Sequence, residues 1–194
     1  VDRYGNEEES GMSVQVQVSG PLQQMTLNRT NRILNLVDPL RLWLQIAEST
    51  INDAVVTVTN HTTTNPTPVQ LPAGHPQVGK FFDLGTNNLT VFPMEVRLYY
   101  TSDDLATAGV SDERQLEGIR FYNKEAKRWQ LYSKTGANTS DVSVGNQRFA
   151  GYVWAMADHL TPLVASADIA TPSKPTNLRA LSGDRQVTLS WDRV

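Results

Sequence analysis

The sequence predicts an all-β protein, an antiparallel β-sandwich with short helical turns. Three observations predict it. Apolar side chains recur at every second position in several short runs, the period of a strand with one buried face. Those runs are separated by breaks rich in Gly, Pro, Asn and Thr. Thr, Asn, Val and Gln are abundant while helix formers are sparse.

Bulk properties narrow the classes further. Of the 194 residues, 39% are hydrophobic and 19% charged, enough apolar material for a core and too much for global disorder. The net charge of −3 is spread over interspersed acids and bases, so no basic field argues for nucleic acid. No apolar run approaches the ~20 residues that cross a bilayer, so no membrane insertion is expected. Cysteine is absent, which excludes a disulfide framework and thiolate metal sites. The chain starts at Val1 with no visible signal peptide and reads as a piece of something longer.

In chain order, residues 1–12 form a flexible acidic segment carrying Glu7, Glu8 and Glu9. The sandwich module is expected over 13–167. Ser13–Ser19 alternates Val14, Val16 and Val18 with Gln15 and Gln17, a half-buried strand. Leu40, Leu42, Leu44 and Ile46 alternate with Arg41, Trp43 and Gln45, so Trp43 faces away from the leucines. Ala54–Thr59 is a strand with Val56 and Val58 inward. From His61 to Pro76 prolines and threonines predict a long surface loop, which either binds or wraps the sandwich. Gly79–Gly85 is a short strand, and Asn88–Phe92 begins the next pairing.

Met94–Tyr100 is the clearest strand: Met94, Val96, Leu98 and Tyr100 face one way, Glu95, Arg97 and Tyr99 the other. Ser102 caps a helical turn whose first residues are acidic, and Gly109 ends it. A second turn follows over Ser111–Leu116. Ile119–Asn123 and Lys127–Ser133 make a hairpin around Lys124 and Glu125, with Trp129 and Leu131 on one face and Tyr132 on the other. Thr135–Ser140 reads as a loop and Val142–Val144 as a short strand. In Gly151–Ala157 the residues Tyr152, Trp154 and Met156 line one side, an aromatic face expected to be a buried edge. Asp158-His159-Leu160-Thr161 then turns the chain into Leu163-Val164-Ala165, closing a last hairpin.

That closing stretch resembles the proteolysis site of the autoproteolysis-inducing domain of adhesion receptors, which reads His-Leu-Thr or His-Leu-Ser between two strands. It is also similar to the related sandwich domain of ankyrins and netrin receptors and to a bacterial cell-surface version. The order of Tyr100, Leu105, Gly109, Leu116, Ile119–Asn123 and Trp129 ahead of the His-hydroxyl turn resembles bacterial secreted sandwich repeats, over roughly residues 40–167. After a linker at 168–174, the residues Pro175, Leu178, Ala180, Gly183, Val187, Leu189 and Trp191 resemble the first two strands of a fibronectin type III domain, incomplete over 175–194. The ~100 residues of such a domain are not reached, so Val187, Leu189 and Trp191 need a cover from the preceding domain, a neighbour or the missing remainder.

The resemblance implies a secreted or cell-surface setting and a non-catalytic structural or adhesion module of a larger multidomain protein. It also implies an alternative, self-cleavage between Leu160 and Thr161. There the Thr161 hydroxyl attacks the Leu160 carbonyl carbon in an N-to-O acyl shift, His159 acts as general base, and water hydrolyses the ester. The cysteines that flank the receptor site are missing here, and Pro162 fixes the backbone beside the nucleophile.

A third reading is glycan binding, with Trp43, Tyr99, Tyr122 and Tyr132 as a stacking platform; the alternative for the same rings is packing across a sheet. No metal is expected, because His61, His75 and His159 have no ligand spacing and Asp103-Asp104 reads as a helix start rather than a calcium loop. No cofactor or hydrolase motif occurs. The expected partners are neighbouring domains of the same polypeptide, other protein subunits or surface glycans. Asn-x-Ser/Thr sequons begin at Asn28, Asn60, Asn88 and Asn138.

Overall fold

The computed structural model describes residues 22–50, 52–170, 179–183 and 186–190. The acidic segment 1–12 and the strand expected at Ser13–Ser19 lie outside them. In chain order the strands are β1 (Leu22–Leu27), β2 (Ile33–Leu36), β3 (Leu42–Gln45), β4 (Ala54–Thr62), β5 (Gln77–Thr86), β6 (Met94–Tyr100), β7 (Leu116–Asn123), β8 (Arg128–Leu131), β9 (Thr135–Asn138), β10 (Val142–Val144), β11 (Gln147–Phe149), β12 (Gly151–Ala157) and β13 (Pro162–Ala167). A separate hairpin, β14 (Arg179–Gly183) and β15 (Gln186–Ser190), follows. Two short helices, α1 (Val37–Leu40) and α2 (Ser102–Ala108), interrupt the strands.

The strands make two antiparallel sheets stacked face to face. One has six strands in the order β1-β4-β5-β13-β7-β8, the other five in the order β2-β3-β6-β12-β9. Alternation decides which side chains meet between them. From the six-stranded sheet come Leu27, Val56, Phe82, Ile119 and Leu163; from the five-stranded sheet Leu34, Leu42, Val96 and Val153. Rows run straight across the strands, as where Leu44, Val96 and Ala155 stand opposite one another. Each such large aliphatic, fully buried, contributes about 1.5–3 kcal/mol before entropy is set against it.

Several local expectations need correction. Residues 33–46 are a β2–β3 hairpin around α1, reversed at Arg41, whose φ of 66° breaks the alternation. Asn88–Phe92 is not a strand; Leu89–Val91 is a 3₁₀ turn capped by the Asn88 side chain, and the Val91 carbonyl accepts from the Ala47 amide at 2.8 Å. The cap of α2 is Thr101, not Ser102: its hydroxyl accepts from the Asp104 amide while the Asp104 carboxylate accepts from the Thr101 amide, a reciprocal box. Thr135–Ser140 contains strand β9, and β10 pairs with β11 in a small surface hairpin.

The largest corrections concern β12 and β13. Strand β12 is not an edge, since it lies between β6 and β9, and it is Gly151, Val153, Ala155 and Ala157 that point inward. Tyr152, Trp154 and Met156 stand on the outer, half-exposed face. Nor do β12 and β13 form a hairpin. Strand β13 belongs to the other sheet, inserted between β5 and β7, so residues 158–161 are a corner that carries the chain across the sandwich. The first residues of the expected linker are bonded to the sandwich, and 171–174 lie outside the described residues. The Asp168 amide donates to the Gln115 carbonyl (2.7 Å) and the Ile169 amide to Gly74 (2.9 Å), fastening 168–170 to the sandwich.

Candidate functional site

The corner at Asp158–Thr161 is built by two sheets handing over the chain. The His159 ring lies edge-on to Phe121 (centroids 4.4 Å apart) and tilted on Tyr132 (5.3 Å), and its Nδ1 faces the Asp158 carboxylate. The Tyr132 hydroxyl donates to the His159 carbonyl at 3.0 Å, and burial together with the Asp158 charge pushes this phenol's pKa upward. The Thr161 hydroxyl donates to the Pro162 carbonyl at 3.2 Å, not to the His159 imidazole. Beside the corner runs a groove of about 670 Å³, with Leu84, Leu89, Phe92 and Leu160 among its apolar walls and Lys124 and Asp83 on its rim.

The four aromatic residues picked out as a platform do not share a surface. Tyr132 is buried in the core between the sheets, 3% exposed. Tyr122 lies on the outer face of the six-stranded sheet, packed with Phe81, Trp129 and Val164. Trp43 and Tyr99 do lie together, on the outer face of the five-stranded sheet, with Tyr152 beside Tyr99 at 5.3 Å and Phe149 at 5.2 Å. Tyr99 itself is buried, and that burial raises its pKa. Burial works against the charge of Arg97, but its donation to the Glu95 carboxylate and that carboxylate's charge help to outweigh it and raise the guanidinium pKa.

A polar cluster escaped the sequence reading. The loop after β4 crosses the outer face of the six-stranded sheet as a strap. Val69 and Leu71 pack on Phe81, Tyr122, Trp129 and Val164, and the Trp129 indole donates to the Val69 carbonyl at 2.9 Å. Further along, His75 reaches Glu117 (2.9 Å) and Arg120 (3.1 Å). Arg120 bonds both Glu117 oxygens (2.8 and 3.0 Å), and its Nε donates to the Ser166 hydroxyl (3.1 Å), which in turn donates to Glu117. The single His75 Nδ1 serves one neighbour at a time, donating to Glu117 or accepting from Arg120 according to its proton.

His75, Glu117 and Asp168 also offer three ligand atoms within 4.8 Å of one another. The Arg120 guanidinium already supplies the positive charge that a metal would bring to such a trio, so we read the cluster as the strap's fastening. His61 sits apart, at the bulged end of β4. Each of the four sequon asparagines accepts from the backbone amide two residues on, at 2.9–3.0 Å. Asn65, which begins no sequon, does the same to Thr67. Local turn formation therefore accounts for the Asn-x-Thr pattern.

No protein-family model matches the chain, and no curated protein is significantly similar to it.

Proposed function

We propose that the chain is a non-catalytic structural or adhesion module of a larger secreted or cell-surface protein, leading into a fibronectin type III domain at its C-terminal end. The observation that carries the non-catalytic reading is the pairing at the corner. The hydroxyl that would have to attack is bonded to the following carbonyl, and the imidazole that would have to activate it is held between two rings and a carboxylate. A general base must lie within hydrogen-bond reach of the proton it takes. The extended two-layer core supports a spacer role, because a rigid sandwich holds its two ends at a fixed separation.

Intact mass of the purified chain tests this. A single species equal to the full sequence, identical in wild type and Thr161→Ala, is expected. Two fragments from wild type that Thr161→Ala abolishes would establish the self-cleaving alternative instead.

A further inference from the structure

We propose that the outer face of the five-stranded sheet is a binding site for a neutral oligosaccharide, centred on Trp43, Arg97 and Trp154. The strand register sets these three in one row, since Trp43 and Trp154 each stand directly opposite Arg97 from the strands on either side. Neighbouring strands lie about 4.8 Å apart, which puts the two indole-bearing positions about 10 Å apart across the sheet. The Arg97 guanidinium is 4.3 Å from the Trp43 ring centroid and 5.0 Å from that of Tyr152. On the far side the Trp154 indole lies over Gly136. A Cβ there would come within 3.3 Å of the ring, so glycine gives the indole a close seat on β9. The side chains of Trp43, Arg97, Tyr152 and Trp154 all stay half-exposed.

Along the strand direction the row is flanked by a wall on one side and a basin on the other. The β10–β11 hairpin forms the wall, packing Val142, Val144 and Phe149 around Tyr99 and Tyr152. On the opposite side the face passes Gln45, Glu95 and Met156 into a depression of about 410 Å³ that Arg32, Glu48 and Pro93 complete. That volume lies within the range of small-molecule sites.

Chemistry selects the ligand class. Pyranose rings present an apolar C–H face that packs on an aromatic ring and a rim of hydroxyls that both donate and accept. Here flat aromatics adjoin Gln45, Glu95, Arg97, Arg32 and Glu48, which supply both kinds of partner. The two arginines are matched by two glutamates, so the site has no net charge to attract an anionic polymer. An extended apolar peptide would bury those four charged side chains without the hydroxyls by which a sugar can bond them. The inference deepens the adhesion reading and rests on it only for the premise that the module binds without cutting itself, which intact mass tests separately.

The experiment titrates the intact protein with cello-, malto-, laminari- and xylo-oligosaccharides, following backbone amide NMR shifts, with heparin as the anionic control. At least one neutral series is expected to bind saturably, with shifts confined to β3, β6, β9, β12, the β10–β11 hairpin and the basin around Arg32, Glu48 and Pro93. Trp43→Ala and Trp154→Ala should each weaken it about tenfold or more. Trp154→Phe, which keeps a ring, and an unchanged spectrum elsewhere guard against misfolding. Four outcomes would overturn the proposal: no saturable binding in any series, shifts mapping to another face, unaltered affinity in the double alanine variant, or tighter binding to heparin.

Discussion

Arg120→Ala tests whether the strap is fastened by charge. Arg120 is 8% exposed and the carboxylate it is bonded to, Glu117, is 15% exposed in its side chain. Removing one member of a buried ion pair costs about 3–5 kcal/mol, mostly because the surviving charge is left unpaired. Glu117 would keep two partners, the Ser166 hydroxyl and His75, so we expect the lower end, about 3 kcal/mol. For a domain of this size that lowers Tm by roughly 6–12 °C. Urea unfolding followed by tryptophan fluorescence measures it, because Trp129 lies under the strap. The decisive control is Glu117→Gln combined with Arg120→Ala. Removing both charges should cost less than the sum of the single changes, by 1 kcal/mol or more on the order of coupled neighbours. A single variant within about 0.5 kcal/mol of wild type, or strict additivity in the double, would refute the reasoning.

Three further outcomes follow from particular contacts. Gly151→Ala places a methyl group against the Tyr100 hydroxyl and the Asn138 carbonyl and should destabilise by about 1–3 kcal/mol in denaturant unfolding; no loss would mean the approach is not close. Burial raises the phenols of Tyr100 and Tyr132 above their ordinary value near 10. Their stabilisation is therefore complete below pH ~10 and lost as pH rises through the shifted values, so phenolate absorbance should show both, together with Tyr99 whose phenol burial also raises, ionising late and with unfolding. Arg114 bonds hold Asp112 down to about 2. That contribution is present above the ordinary carboxyl value near 3.9 and disappears as pH falls through about 2, and Arg114→Ala should return the Asp112 carboxyl to the ordinary range in an NMR titration.

Strands with one dry face were legible because burial enforces a period of two. Met94–Tyr100 came out residue for residue, and Trp43 turned away from Leu42 and Leu44 as expected. The inward side of β12 was misjudged for a physical reason. Size suggested that Tyr152 and Trp154 fill the core, but Tyr100, Phe82 and Phe121 from neighbouring strands occupy that space, leaving room only for Val153 and alanines. The glycan row was half legible: Trp43 was visible, but that Arg97 and Trp154 join it depends on a strand order no local pattern encodes. The strap cluster was not legible at all. Its members stand at positions 75, 117, 120 and 166, and the one local hint was Ser166, a hydroxyl on an otherwise apolar strand.

The place of β13 in the middle of its sheet has a mechanical consequence. Tension on the chain beyond residue 170 enters a strand flanked on both sides by antiparallel neighbours, β5 and β7. Pulling it out means shearing two ladders of hydrogen bonds at once rather than unzipping one. Such a strand also joins partners more than 40 residues earlier in the chain, a long-range pairing that makes for slow assembly while anchoring the chain where it leaves the sheet.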